Sequence, residues 1–265
     1  MAKAIGLLHP GEMGAAIGAR LVEAGHRVRW ASAGRSGSTA ARAKAASLDD
    51  AGTLYDLVAS CDLIISVCPP HGAVGVAGEV AAAGFTGCYV DANAVSPDTA
   101  HQVEAIVEAS GARFVDGGII GPPPLRAGTT RLYLSGRDAV GVSERLATLA
   151  LGVNVVSDHA GSASALKLVY AAWTKGSAAM LVAIRAAARA TGVEAPLLEE
   201  WRKSQPGLED RSIGSARAGS SKGWRWIGEM EEISAMFAAL GLPDGFHRAA
   251  AVVYEDLPWY PDDPG

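Results

Sequence analysis

The first 31 residues hold, in order, a short apolar run (3–8, KAIGLL), a glycine-bearing turn, a helical pattern from Gly14 to Ala24, a stop at Gly25 and a strand-like run (26–31, HRVRWA). This order constrains the fold more than any other feature. Strand, helix and strand in so little chain close as a parallel crossover unit. The pattern recurs. Residues 63–68 (LIISVC), 88–91 (CYVD) and 113–116 (RFVD) are short apolar runs separated by alanine-rich helical stretches, and 131–135 (RLYLS) and 153–156 (VNVV) follow. Strands alternating with helices predict a doubly wound parallel sheet covered by helices on both faces.

Beyond Ser157 the texture changes. Residues 162–191 contain no proline and one internal glycine, Gly176, in a run rich in Ala, Leu, Met and Val. That predicts a helix of about 30 residues, roughly 45 Å long. It is apolar on nearly every side, so burial between domains or subunits is expected. Gly192 suits its C-terminal stop. The remainder reads as helical up to Leu257, with loops near 205–207 and 219–223 and an irregular Pro-rich end over 258–265. The expected architecture is α/β: an N-terminal Rossmann domain over 1–157 and an all-α C-terminal domain over 158–265 for substrate and dimerisation.

Of the 265 residues, 49% are hydrophobic and 19% charged, which supports cores for two domains and argues against disorder. A net charge of −5 does not suit a nucleic-acid partner and fits a small-molecule substrate. Cys61, Cys68 and Cys88 follow no metal-ligand spacing, so no metal is expected, and they read as buried free thiols of a reducing compartment. A strand begins almost at once, so no signal peptide is expected, and no apolar run reaches the roughly 18 residues of a membrane span. A cytoplasmic location is expected.

The loop after the first strand reads His9-Pro10-Gly11-Glu12-Met13-Gly14. The dinucleotide motif G-x-G-x-x-G would place glycine at 9, 11 and 14, and two of the three are present. Those glycines serve a tight turn, close approach of backbone to pyrophosphate, and close helix–strand packing, while the helix N-terminus favours the anion. Gly11 and Gly14 meet the last two needs. His9 lacks glycine's freedom and Pro10 pushes it toward extended geometry, so a differently shaped turn is expected. His9 either touches the phosphates or shapes the loop, with Pro10, Gly11, Glu12 and Met13 beside it as cofactor contacts.

An NAD-binding chain carries Asp or Glu about 20 residues past the glycines, accepting from the ribose 2′-hydroxyl. From Ala24 to Leu48 there is no acidic residue; the second strand ends instead in Ser32, Arg35 and Ser36, with Arg42 and Lys44 further on. A carboxylate there repels a 2′-phosphate, whereas a guanidinium and two hydroxyls bind it, so NADP(H) is expected. Cys68, Pro69, Pro70 and Asn93 occupy strand-end loops that line a nicotinamide. Asn93 either bonds the nicotinamide ribose or caps the next turn.

Nearly the whole chain resembles the β-hydroxyacid dehydrogenase superfamily, which includes 3-hydroxyisobutyrate and 6-phosphogluconate dehydrogenases and imine reductases. IGLLHPGEMGAAIGARLVEAGHRV is similar to its first βαβ unit apart from His9, and VDANAVSPDTA to its fifth-strand loop. VDGGIIGPPP lies where its substrate motif D-x-P-x-S-G-G belongs, and GSASALKLVYAAWTKG where its G-x-G-x-x-x-K-x-x-N-N helix belongs. SKGWRWIGEMEEISAMFAALGLP looks most like a subgroup with a phosphogluconate-dehydrogenase-like C-terminal domain. The resemblance implies that Lys167 is the general acid/base, giving the proton that a carbonyl or imine needs as hydride arrives. It also implies a homodimer with intertwined helical domains.

The departures bear on the substrate. The paired asparagines are Tyr170 and Ala171, the motif's serine is Ile120, and its second glycine is Pro122, while Gly121 remains. Tyr170 shares a helical face with Lys167, as does Thr174; Tyr170 orients substrate, donates a second proton or simply packs. Ile119, Ile120, Trp173 and Trp224 or Trp226 are candidate walls of an apolar pocket, although Trp224-Arg225-Trp226 also reads as a helix start. The leading expectation is an NADP-dependent dehydrogenase or reductase of a small hydroxyacid or related carbonyl compound. An imine or ketone reductase with an apolar substrate is the alternative, and a non-catalytic NADP-binding sensor a third reading. A true 6-phosphogluconate dehydrogenase carries a much larger helical domain.

Overall fold

Alternation along β1 (Ala4–Leu8) sets the layers: Ile5 and Leu7 face one side of the sheet, Ala4 and Leu8 the other. The computed structural model describes residues 3–148 and 150–257, and the Pro-rich end expected to be irregular lies outside them. The chain forms two units, Met1–Lys167 and Leu168–Gly265.

In the first unit β1 leads through α1 (Glu12–Glu23) to β2 (Val28–Trp30), then α2 (Gly37–Ala45), β3 (Asp49–Asp50), α3 (Leu54–Ser60) and β4 (Cys61–Ser66). A 3-10 turn at Pro70–Gly72 opens α4 (Ala73–Ala82), followed by β5 (Cys88–Asp91), α5 (Pro97–Ala109), β6 (Arg113–Ile120), β7 (Thr130–Ser135), α6 (Ala139–Leu146) and β8 (Leu151–Ser157). The sheet order is β3-β2-β1-β4-β5-β6-β7-β8. The order therefore reverses between β1 and β4, and a crevice opens at the carboxyl ends of those strands. Ile5, Leu63 and Val90 pack with Ile17 and Leu21 of α1 and Leu146 of α6 on one face; Ile64, Tyr89 and Phe114 pack with Leu57 of α3, Val80 of α4 and Val103 of α5 on the other.

The doubly wound sheet is thus the expected one, with two differences. β6 and β7 pair antiparallel. They are joined by the loop at 121–129, too short for the crossover that a parallel return requires. β3 is two aspartates that qualify as strand by pairing with Arg29 and Trp30, and nothing in their own residue types announces it.

α7 (Ser162–Ala190) starts in the first unit and continues into the second, its 29 residues matching the expected long helix. Gly192, at φ +75°, ends it, with Val193 N–H reaching Ala188 O at 2.9 Å. α8 (Glu194–Ser204), α9 (Leu208–Ala239) and α10 (Gly245–Glu255) complete the second unit, which is helical as expected. No loop interrupts α9 at 219–223, and Trp224 begins no helix; both expectations are corrected. A Cβ on Gly219 would lie 2.7 Å from Leu257 Cδ1, and one on Gly223 3.2 Å from Tyr254 Cδ1. These glycines mark the face on which α10 and the residues after it pack, not a turn. Among the described residues no helix is long and apolar enough to cross a membrane.

Candidate functional site

The turn after β1 keeps a glycine-like shape without the glycine. His9 stands at φ +60°, not in the extended geometry expected beside Pro10. Gly11 N–H closes the turn on His9 O at 2.6 Å, a constraint invisible in the dipeptide. A Cβ on Gly14 would come within 3.0 Å of His9 O, so α1 can approach β1 this closely only with glycine there. No side chain caps α1 at its N-cap, Gly11. His9 lines a cavity of about 150 Å³ with Ala31, Ala33, Arg35, Leu54 and Glu79. Its Nδ1 is buried without a hydrogen-bond partner among the described residues. Burial, and secondarily the charge of Arg35, lowers its pKa to about 4, so the imidazole is neutral near pH 7. A tight turn, a glycine-dependent close approach, an orphaned ring nitrogen and an adjoining cavity together fit a dinucleotide.

Ser36 caps α2, accepting from Thr39 N–H at 3.2 Å, and its hydroxyl lies 3.0 Å from both Ser38 Oγ and Thr39 Oγ1. Arg42 joins them, donating to Thr39 Oγ1 at 3.1 Å and from Nε to Pro10 O at 3.4 Å. Ser32 bonds the carboxylate of Asp50, which also accepts from Gly52 N–H at 2.7 Å. β3 therefore brings an acid beside the end of β2 from outside the acid-free stretch of sequence.

At the ends of β4 and β5 the loops are tied together. Asn93, 2% exposed, accepts from Cys68 N–H at 2.5 Å, donates from Nδ2 to Ser66 Oγ at 3.1 Å, and gives its backbone N–H to Asp91 at 2.9 Å. Its side chain thus fixes the start of the Cys68-Pro69-Pro70 loop. Burial and then the charge of Asp91 push the Cys68 thiol up to about 12, which makes it a poor nucleophile. Cys61, Cys68 and Cys88 are all free.

Ile120 is 4% exposed, at the end of β6. Gly121 takes φ +120°, and a Cβ there would fall 2.1 Å from Thr129 O. Pro122 O accepts from Thr130 Oγ1 at 2.5 Å. Lys167 is the sixth residue of α7. A Cβ on Gly118 of β6 would lie 2.9 Å from Lys167 Cβ, so that glycine sets how closely helix and strand meet.

In the second unit Tyr170 and Trp173 are 47% and 64% exposed, and the Arg211 guanidinium lies 5.2 Å from the Trp173 ring centre. Thr174 returns its hydroxyl to Tyr170 O at 3.1 Å. Trp226 packs edge-on against Tyr254 at 5.1 Å, with Lys175 Nζ 5.5 Å from its ring. Lys175 pairs with Glu229, and Tyr254 Oη donates to Lys175 O at 2.5 Å. Among the described residues no group of three or more His, Cys, Asp or Glu could hold a metal ion.

Residues 4–145 match the NAD binding domain of 6-phosphogluconate dehydrogenase, and residues 188–257 a domain of unknown function (DUF1932). The chain belongs to the β-hydroxyacid dehydrogenase superfamily. An uncharacterized 28.5 kDa protein of Methanothermus fervidus is 31% identical over 60% of this chain and 63% of its own length. The mitochondrial 3-hydroxyisobutyrate dehydrogenase of Drosophila melanogaster is 28% identical over 51% of this chain and 42% of its own length. The chain thus matches less than two thirds of each of these curated relatives. In fold it is similar to the Mycobacterium tuberculosis 3-hydroxyisobutyrate dehydrogenase solved with L-serine, with a TM-score of 0.76 at 20% identity over 98% of this chain and 97% of that one. It is also similar to the Aspergillus terreus reductive aminase solved with NADPH and ethyl levulinate, with a TM-score of 0.61 at 20% identity over 96% and 93%.

Within the superfamily's pattern, sequence reasoning passed over Asp116 and Gly118. Asp116 is 0% exposed and bonded to the start of α7, and Gly118 packs under Lys167. The available signal was a carboxylate closing an apolar strand run ahead of two glycines. Its partners, 47 and 48 residues further on, lie beyond the reach of local patterning.

Proposed function

We propose that this chain is an NADP-dependent oxidoreductase acting on a small hydroxyacid or related carbonyl compound, with Lys167 as general acid/base. The observation that carries the reading is the turn at His9, Gly11 and Gly14, which keeps the shape a pyrophosphate needs and opens beside a cavity edged by Arg35. The N-terminal end of α1, with the close approach that Gly11 permits and the backbone of Glu12 and Met13, would hold the pyrophosphate. Arg35 and Ser36, next to Ser38 and Thr39, would hold the 2′-phosphate. Ser32 would contribute only by loosening its bond to Asp50. The reductase of similar fold solved with NADPH supports this choice.

A bound nicotinamide supplies a hydride to, or accepts one from, the substrate carbon. Lys167 Nζ gives a proton to the oxygen that gains negative charge and takes it back in the reverse direction. Asn93 holds the Cys68-Pro69-Pro70 loop in place, and the half-buried, protonated Cys68 stays out of the chemistry. Ile120, Gly121 and Pro122 would wall the substrate. The replacement of serine by Ile120 and of the asparagine pair by Tyr170 and Ala171 favours a second reading, reduction of an apolar imine or ketone.

The second unit supports a homodimer. Val169, Tyr170, Trp173, Met180 and Ile184 of α7 are 38–64% exposed, and soluble monomers rarely leave so continuous an apolar face uncovered. Three free thiols suit a reducing, cytoplasmic compartment.

Following NADPH absorbance over aldehydes, 3-oxoacids and cyclic imines tests the activity and separates the two substrate classes. Lys167→Met should abolish turnover and leave NADP+ binding intact; substantial residual turnover would refute the role of the lysine. Tight NADP+ binding with no turnover on any of the three classes would favour a sensor.

A further inference from the structure

α7 cannot cap itself. The residue before it, Gly161, stands at φ +87° and has no side chain to offer the amides that open a helix. The cap comes from β6 instead. Asp116 Oδ2 accepts the N–H groups of Ala163 at 2.9 Å and Ser164 at 3.0 Å and the Ser135 hydroxyl at 2.8 Å, and Oδ1 accepts the Ser164 hydroxyl at 2.5 Å. Ser135 Oγ takes a share of the Ala163 N–H at 3.0 Å. Every one of these contacts is buried. A carboxylate at a helix N-terminus is also favoured by the aligned peptide dipoles.

The two amides so held belong to the residues four and three positions before Lys167, which share its helical face. Two residues along β6 from Asp116, on the same face of the strand, comes Gly118. A Cβ there would lie 2.6 Å from Ala163 O and 2.9 Å from Lys167 Cβ. One strand therefore grips the first two turns of α7 twice: a carboxylate fixes where the helix begins and how it is rotated, and a glycine fixes its depth at the lysine.

We propose that Asp116 is the positioning residue for Lys167, holding the N-terminal turns of α7 so that the ammonium is presented at one place beside the cofactor crevice. Asp116 thereby has a task other than substrate contact, although it opens the segment that the superfamily resemblance links to substrate; at 0% exposure it reaches no substrate. The functional importance of this placement rests on the proton-donor reading of Lys167, whereas the placement itself can be measured without turnover.

The chain has six lysines, so reductive dimethylation with 13C-formaldehyde gives few enough signals to resolve by NMR, and Lys167→Arg assigns the one of interest. Asp116→Asn is nearly isosteric but removes the charge that the helix amides bind, and it sets an N–H donor against the Ser164 hydroxyl in place of Oδ1. In this variant the Lys167 signal should move while the other five stay. Exchange of the Ala163 and Ser164 amides should quicken at least tenfold, and NADP+ affinity should change less than threefold. Ser164→Ala, which loses one of the four bonds, should move the same signal less and in the same direction, and it carries the test if Asp116→Asn does not fold. A Lys167 signal unmoved in folded Asp116→Asn, or equal movement of all six, would overturn the proposal. Full turnover in Lys167→Met would instead remove the proton-donor reading and leave the NMR result to decide on Asp116.

Discussion

Arg35 reaches the rim of the cavity that His9 lines, and its charge helps to keep that imidazole neutral. A guanidinium bonded to a 2′-phosphate is worth roughly 1.5–3 kcal/mol. Arg35→Ala should therefore weaken NADP+ binding tenfold or more and barely change NAD+ binding, as titration calorimetry with both nucleotides would report. Equal losses for the two would mean that Arg35 shapes the cavity without reading the phosphate. Asp91 gives a second test. Its carboxyl is buried beside Asp116 and accepts from Asn93 N–H at 2.9 Å, and burial raises its pKa from 3.8 to about 7. The folded state thus holds this proton more tightly than the unfolded chain. The resulting stabilisation is complete below about pH 4 and is lost as pH rises through about 7. Asp91→Asn, which cannot ionise, should gain on the wild type by up to about 1 kcal/mol per pH unit across that window. Urea melts at several pH values measure this, and a pH-independent difference would contradict it. At this scale residue types were legible and partners were not. The run at 24–48 holds no acid, yet Asp50 reaches Ser32 from β3 through strand pairing that no local pattern reveals.

Glycine shows most clearly what a single element hides. At Gly25 and Gly192 it ends helices, as local rules expect, with φ of +89° and +75°. At Gly219 and Gly223 the same residue lies inside α9, where the neighbour on α10 decides its use. Local reading placed a loop there because the packing partner lies some 30 residues away in sequence. Gly121 combines both demands, a positive φ and a carbonyl 2.1 Å from any Cβ. Gly121→Ala should cost roughly 1–3 kcal/mol from backbone conformation alone. Its melting temperature should fall well below that of Gly128→Ala, whose Cβ would meet nothing within 4 Å although φ is also positive. Equal melting temperatures would show that the loop at 121–129 relaxes freely.

At the scale of the molecule, the order of strands and helices was the most legible feature. It depends on hydrophobic periodicity repeated over many residues, so the doubly wound sheet and the helical second unit follow from pattern alone. What α7 packs against is not written in its own period. Its exposed face, from Val169 to Ile184, calls for a partner, and light scattering should give twice the 27.1 kDa of one chain. A monomer at micromolar concentration would contradict the dimer and leave the apolar face to another occupant. The NADP-dependent reading is tested most directly by the dissociation constants of the wild-type protein for NADP+ and NAD+. NADP+ should bind at least tenfold more tightly, and equal or tighter binding of NAD+ would contradict the account.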